Sequence, residues 1–356
     1  MPLAIKTQAP QSSQNLTFTD QPELPPNASP IPVEELAPEG DQPVRGVDVS
    51  AVAFPSTDQA RPTHFVCGRN SGLLSMYRIS APVPSSSSSP PAMQGFSLAQ
   101  HARYPAGIND VAFSGDGLRI AVCLEEGSMR LVDARTLREV DSLQVRTDAA
   151  VTCAAFSPQS NMIVAGTYAG TLQAYDTRSP RPLVRTLSPA HGCPVSSVSF
   201  HPDGTAFLST GLDGLARVWD SSGPCLATVI GSSDRGLGSG VFSPNGRFAL
   251  LGAMDDGALG LWDLAHSGRL KRLRKYPRVN NQHWMRAVFT EEGTIIGGSE
   301  DGRLLAWDPS STKVVAEMDC ASKGVKIPLA CATSRSFVAL GGIGRADPLL
   351  VRLGPS

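Results

Sequence analysis

Between Val195 and Asp220 the chain reads VSSVSFHPDGTAFLSTGLDGLARVWD, and its apolar and polar positions fall into three short runs. Val195 to Phe200 alternates small or polar residues with apolar ones, the period of a strand with one buried face. His201-Pro-Asp-Gly204 follows. Proline fixes φ and glycine accepts the left-handed region, so a tight turn is expected there. Ala206 to Ser209 is a second apolar run, Asp213-Gly214 a second turn, and Leu215 to Trp219 a third run closed by Asp220. The stretch predicts one antiparallel meander of three strands.

The meander recurs. Its closing aspartate stands at Asp133, Asp176, Asp220, Asp263 and Asp308, at intervals of 43, 44, 43 and 45 residues. The phenylalanine that ends the first strand keeps nearly the same beat, at Phe113, Phe156, Phe200, Phe242 and Phe289. The residue before the aspartate is Trp219, Trp262 and Trp307 in three copies, with Tyr175 and Val132 in two weaker ones. A period of about 40–45 residues with a Trp-Asp ending is the signature of a β-propeller blade. The fold expected is all-β, a seven-bladed WD-repeat β-propeller.

In chain order, blade one runs from Gly46 to about Ile79, with Tyr77 where tryptophan should stand and no aspartate after it. Blade two covers Gly107–Asp133, blade three Ala149–Asp176, and blade four Pro194–Asp220. Blade five covers Gly236–Asp263 and blade six His283–Asp308. Blade seven covers Gly324–Leu353, with strands at 329–332, 337–341 and 349–353. That last meander ends without an outermost strand, so an N-terminal segment has to supply one, and Ile31–Leu36 is the candidate. The propeller therefore spans 31–356. Residues 1–30, rich in Pro, Ser, Gln and Asn, are expected to form a disordered tail that cannot bury enough surface to order itself. Residues 80–98, SAPVPSSSSSPPAMQGFSL, read as a Ser/Pro-rich solvated insertion between blades one and two.

Composition narrows the function classes. The 356 residues are 41% hydrophobic, ample for one large domain, and the formal net charge is −1. That balance argues against a direct grip on nucleic acid, which needs excess Lys and Arg. No run of 18 apolar residues exists, so no membrane span is expected, and the N-terminus lacks the apolar core of a signal peptide. The seven cysteines are odd in number and form no Cys-x-x-Cys pair. Several fall on predicted strands, as small buried hydrophobes in a reducing compartment, and no metal site or cofactor is expected.

The search for chemistry is equally bare. There is no Gly-rich phosphate loop, no ligand cluster and no nucleophile elbow. His191, Ser209 and Asp213 resemble a triad, but the repeat explains all three. The histidine before an inner strand bonds the turn aspartate, and Ser209 and Trp219 complete a buried polar chain. His101 is expected to play a weaker version of that part before blade two. Asp255-Asp256 and Glu291-Glu292 read as solvated turn charge. The run Lys271-Arg-Leu-Arg-Lys275 reads as an outer strand guarded by charge against edge pairing, with an import signal or acidic-partner contact as the alternative. No catalytic residue is assigned, and a propeller without chemistry is by default an interaction platform.

Several segments go beyond the generic repeat: GINDVAFSGDGLRIAVCLEEGSMRLVD (107–133), AVTCAAFSPQSNMIVAGTYAGTLQAYD (150–176), AHGCPVSSVSFHPDGTAFLSTGLDGLARVWD (190–220), VFSPNGRFALLGAMDDGALGLWD (241–263) and IIGGSEDGRLLAWD (295–308). With the longer turn IGRADP (343–348), this part of the chain resembles the WD-repeat core subunit of COMPASS-type complexes, which methylate lysine four of histone three. The resemblance implies a non-enzymatic scaffold in a nuclear complex, with the cytoplasm as a second location. Its partners would be a SET-domain methyltransferase and sister subunits, with a histone tail as a further candidate. It implies two surfaces. One is a central pocket that takes an arginine side chain, aligned here with Ser50, Asn70, Asn109, Glu125, Thr152, Tyr168, Ser196, Leu212, His283 and Arg286. The two clamping rings of that pocket fall at Thr152 and Arg286. A ring stacked on arginine contributes about 0.5–2 kcal/mol, whereas an arginine at 286 repels one. The other surface is a side cleft for a sister-subunit peptide, aligned with Asn245, Phe248, Leu261 and Phe289.

A second resemblance points elsewhere. Asp133-Ala-Arg135 and Asp176-Thr-Arg178 look like the Asp-x-Arg box of WD-repeat substrate receptors of cullin-RING ubiquitin ligases, in which the arginine meets the adaptor.

Overall fold

The computed structural model describes residues 33–36, 48–55, 63–80, 95–144, 149–179, 183–230, 236–254, 258–264, 271–277, 283–335, 337–345 and 347–353. They form seven four-stranded antiparallel sheets. The architecture is a seven-bladed β-propeller of WD-repeat type. Blade four holds strands Val195–Phe200, Ala206–Gly211 and Leu215–Asp220, the meander expected, and adds an outer strand, Cys225–Ile230. Asp213 and Gly214, the latter at φ 76°, make the turn between the second and third strands.

The ring is closed by exchange. The last sheet runs in the order Val33–Leu36, Leu349–Leu353, Phe337–Ile343, Ile327–Ser334, so four residues near the N-terminus supply its outer strand. Val33 pairs with Leu353 and Leu36 with Leu350. A closed toroid needs this exchange because otherwise the third strand of blade seven is left with open backbone groups at the seam.

The core lies between neighbouring sheets. At the seam, Phe65, Tyr77 and Phe96 of blade one pack with Phe337, Ala339 and Leu350 of blade seven. Adjacent blades approach closely where the second strand carries a small residue. A Cβ built at Gly166 would lie 2.6 Å from Val195 Cγ1 of the next inner strand, and one at Gly341 would lie 2.3 Å from Val49 Cγ1.

Two expectations are corrected. The insertion ends earlier than 98, because Phe96–Arg103 is the outer strand of blade one and Phe96 is buried against Phe65 and Tyr77. For the same reason His101 takes no part in a buried polar chain. It sits exposed on that outer strand, opposite Ser75. Lys271–Pro277 is the outer strand of blade five, as its charge pattern suggested. The tail 1–30, the Ser/Pro run 81–94 and Asp255-Asp256 lie outside the described residues.

Candidate functional site

The inner strands build the mouth of the central channel. In six blades the register between the inner and second strands shifts by one residue near the start of the inner strand. The extra residue is Ser50, Asn109, Thr152, Ser196, Gly238 or Leu329, and a bulge of this kind re-aims its side chain. All six line one cavity of about 220 Å³ on the propeller axis. Blade six contributes Arg286, the residue just before its paired strand, together with Trp284.

The ring holds itself together. Ser50 Oγ donates to the Ile108 carbonyl, Asn109 Nδ2 to the Val151 carbonyl (3.0 Å) and Thr152 Oγ1 to the Val195 carbonyl (2.6 Å). Each bond links a blade to the next. Ser196 turns aside to Thr210 Oγ1 at 2.8 Å. Three hydroxyls or amides aligned with a peptide site thus spend a donor on their own scaffold.

Arg286 does something the other blades do not. Its Nη2 lies 2.8 Å from Asp110 Oδ1, on the inner strand of blade two. Blades two and six are not neighbours, so the ion pair crosses the channel. Asp110 is almost wholly buried, and its other oxygen accepts the Ala154 N–H at 3.2 Å. Burial alone would weaken the guanidinium's hold on its proton, but the Asp110 carboxylate outweighs it and keeps Arg286 charged. The sequence placed Arg286 as a bare cation in the pocket. The structure corrects this to a paired one.

Six of the ten aligned pocket residues line the cavity: Ser50, Asn70, Asn109, Thr152, Ser196 and Arg286. Glu125, Tyr168 and Leu212 share a position with Asn70, the first residue after the second strand. Their backbone N–H groups donate to Gly107, Ala150 and Pro194, and that of Asn70 to Asp48. These residues form a rim around the mouth, with Glu125 exposed and Tyr168 61% exposed. His283 stands apart, its Nδ1 3.0 Å from Glu300 Oε1. Trp284 and Asp48 were missed. Neither recurs from blade to blade, so the repeat gave no signal for them.

The side cleft fares differently. Phe248, Leu261 and Phe289 are all buried in one cluster with Tyr276 and Trp307, between blades five and six. They are core, with no open surface to offer a peptide. Asn245 is exposed, but its Oδ1 accepts the Ser243 hydroxyl (2.6 Å) and the Arg247 N–H (3.2 Å) of its own turn.

The buried polar chain of blade four is present. Trp219 Nε1 donates to Ser209 Oγ (2.8 Å), which lies 2.8 Å from His191 Nε2, and His191 Nδ1 is 3.0 Å from Asp213. The ring is buried and Ser209 is fully inaccessible, so the group has no route to a substrate. Among the described residues, no group of three or more His, Cys, Asp or Glu is arranged to hold a metal ion. No helix is long and apolar enough to cross a membrane. On the opposite face, Asp133 Oδ1 accepts the Arg135 N–H (3.0 Å) and leaves that side chain exposed, whereas Arg178 Nε lies 3.2 Å from Asp176.

Comparison with known proteins agrees with the architecture. The β-propeller family described as "Nucleolar protein 10-like, N-terminal domain" matches residues 91–242. The transcriptional corepressor LEUNIG_HOMOLOG of Arabidopsis thaliana is 24% identical over 209 residues, covering 58% of this chain and 25% of its own. The COMPASS component SWD3 of Saccharomyces cerevisiae is 24% identical over 238 residues, 62% of this chain and 73% of its own. The DDB1- and CUL4-associated factor 11 homolog of Caenorhabditis briggsae is 32% identical over 148 residues, 39% of this chain and 26% of its own. The chain thus spans about a quarter of the plant and nematode relatives.

Proposed function

We propose that this propeller is a non-enzymatic assembly platform in a nuclear complex that methylates lysine four of histone three, and that partner polypeptides dock at the channel mouth. The observation that carries this reading is the likeness to the yeast COMPASS component over 73% of that protein's length. The mouth supports it physically: an open cavity of about 220 Å³ with an aromatic wall, ringed by the exposed Tyr168 and Glu125. Aromatic and polar groups grouped at a concave site are what a peptide contact needs.

The test is purification of the tagged full chain with mass spectrometry of what comes with it. A SET-domain methyltransferase and its sister subunits should be recovered, and Tyr168→Ala should weaken that recovery. A preparation without any methyltransferase subunit would end the reading.

A second reading has its own observation. The nematode cullin-associated relative has the higher identity, and Arg135 is exposed on the opposite face with its side chain free of the aspartate that holds Arg178. Under this reading a cullin adaptor is recovered instead, and Arg135→Ala with Arg178→Ala releases it.

A further inference from the structure

Blade six sends one side chain across the channel, and the group it meets there sets blade two apart from the other inner strands. The residue after the bulge is Ala51, Cys153, Ser197, Ser239 or Ala330 in five blades, all small and uncharged, and Asp110 in blade two. Blade four shows what this position does for the ring. Ser197 Oγ accepts the Gly240 N–H of the next inner strand at 2.7 Å. Asp110 does the same for blade three, taking the Ala154 N–H on Oδ2 at 3.2 Å. A hydroxyl is enough for that bond, so the negative charge must be there for something else. In a side chain only 3% exposed, such a charge is strongly destabilising unless it is paired.

Arg286 supplies the pair. Its Nη2 lies 2.8 Å from Asp110 Oδ1, the oxygen that also accepts the Val111 N–H at 2.8 Å. At its other end the arginine is fixed to blade seven. The Arg286 N–H donates to the Leu329 carbonyl (2.9 Å), and the Arg286 carbonyl accepts from Cys331 Sγ (3.2 Å). Arg286 lines the cavity at the mouth, whereas Asp110 takes no part in the lining. The guanidinium thus stands between the buried carboxylate and the open side of the channel. Because it is tethered, its effective concentration at Asp110 is far above that of a guanidinium free in solution.

We propose that Asp110 is a guanidinium-binding site of the channel and that Arg286 is its built-in occupant, closing the carboxylate to cations that enter from the mouth. The site stands whether or not a partner docks above it.

The test empties the site and offers it a replacement. Arg286→Ala should melt at a lower temperature than the parent, and methylguanidinium at millimolar concentration should raise that temperature again. At ten times its Kd, methylguanidinium should increase the folded-to-unfolded ratio about tenfold. Methylurea, which has nearly the same shape and no charge, should do nothing. The parent, with its site filled, should respond to neither compound. Arg286→Ala combined with Asp110→Ser, which copies blade four, should be more stable than Arg286→Ala alone and blind to methylguanidinium. If Arg286→Ala does not fold by itself, the same compounds are added during refolding, and methylguanidinium alone should restore the β-sheet circular dichroism. An Arg286→Ala chain that gains nothing from methylguanidinium in either assay, that gains as much from methylurea, or that keeps its response once Asp110→Ser is added would overturn the site. A parent stabilised as strongly as the variant would overturn Arg286 as its occupant.

Discussion

Blade one and blade four bury an aromatic ring at the same place and supply its polar end in different ways. Tyr77 stacks on Phe65 with centroids 5.2 Å apart, and Trp219 on Phe207 at 6.2 Å, each ring opposite its partner across the second and third strands. In blade four the polar filler comes from outside the sheet. His191, on the incoming loop, occupies the space beside Gly211, where a Cβ would lie 2.5 Å from His191 Nδ1. In blade one the corresponding residue, four after the phenylalanine, is Arg69. Its own side chain fills the space, reaching Ser75 Oγ (2.6 Å), Tyr77 Oη (2.8 Å) and Asp347 (3.3 Å).

The difference lies in what each chain is tied to. His191 and Asp213 are 22 residues apart and belong to one blade. Arg69 and Asp347 are 278 apart, and Asp347 sits in the turn of blade seven. The first arrangement satisfies a local need. The second joins the two blades that meet where the ring closes, next to the Gly344 N–H on Asp48. A substitution in blade four is therefore a local loss, whereas one in blade one loosens the seam.

The largest expected effect follows from that contrast. Arg69 is fully buried and pairs with the Asp347 carboxylate. Asp347→Ala takes the carboxylate away from a buried guanidinium, which costs about 3 kcal/mol. Urea unfolding followed by tryptophan fluorescence measures it. Arg69→Met combined with Asp347→Leu should cost less than Asp347→Ala alone, since the charge goes with its partner. If the single variant is as stable as the parent, the seam does not depend on this pair.

Ser209→Ala comes next. It removes the acceptor of the Trp219 N–H and the neighbour of His191 Nε2, and should cost about 2 kcal/mol. Ser75→Ala in blade one should cost less, because Arg69 keeps Tyr77 and Asp347. Equal losses would mean that the two chains are not organised as described.

Acidity separates the blades further. In blade one burial pushes the Tyr77 hydroxyl up and raises the Cys67 thiol to about 11, so neither titrates near neutrality. In blade four burial lowers His191 below its ordinary 6.5, opposed by Asp213 and helped by Arg217. A histidine with a depressed folded pKa binds its proton more readily when unfolded. Its contribution is complete above 6.5 and is lost as pH falls through the folded value. Asp213, held below the usual carboxylate range by His191 and the Gly192 N–H against its burial, adds a second loss below pH 3.8. Stability should therefore decline as pH falls below 6.5, and His191→Gln should flatten that decline. An unchanged slope in the variant would place the titrating group elsewhere.

How much of this was legible follows from what a repeat can reveal. The strands, turns and the His191–Asp213 chain recur or fit a recurring frame, so the pattern exposed them. The closing strand was found because a missing outer strand leaves a countable deficit. Arg69, Asp347, Trp284 and the Arg286–Asp110 pair occur once each. They are single features that join parts of the chain far apart in sequence or stand alone at the mouth, and no periodicity points to a single event. Phe248, Leu261 and Phe289 were aligned with a cleft because apolar residues on strands serve core and groove alike. Apart from the charged outer strand of blade five and the N-terminal closing strand, the outer strands escaped for a related reason, since their apolar residues face solvent: Val140 is 61% exposed and Val184 60%.

Blade six sharpens the comparison from the other side, because it has the ring and lacks the chain. Trp307 is fully buried, yet its indole N–H has no hydrogen-bond partner among the described residues. The register explains why. Trp307 pairs with Ile295 as Trp219 pairs with Phe207, so the place of Ser209, two residues on, is taken by Gly297. Glycine brings no acceptor. Gly297→Ser puts a hydroxyl at the position that serves Trp219 in blade four, and should stabilise the protein by about 0.5–1.5 kcal/mol, the net worth of one buried hydrogen bond. Gly297→Ala, which adds the carbon and not the oxygen, separates that bond from the ordinary benefit of removing a strand glycine. If serine gains nothing over alanine, the tryptophan of blade six meets its need in another way, and the serine of blade four is a packing residue first.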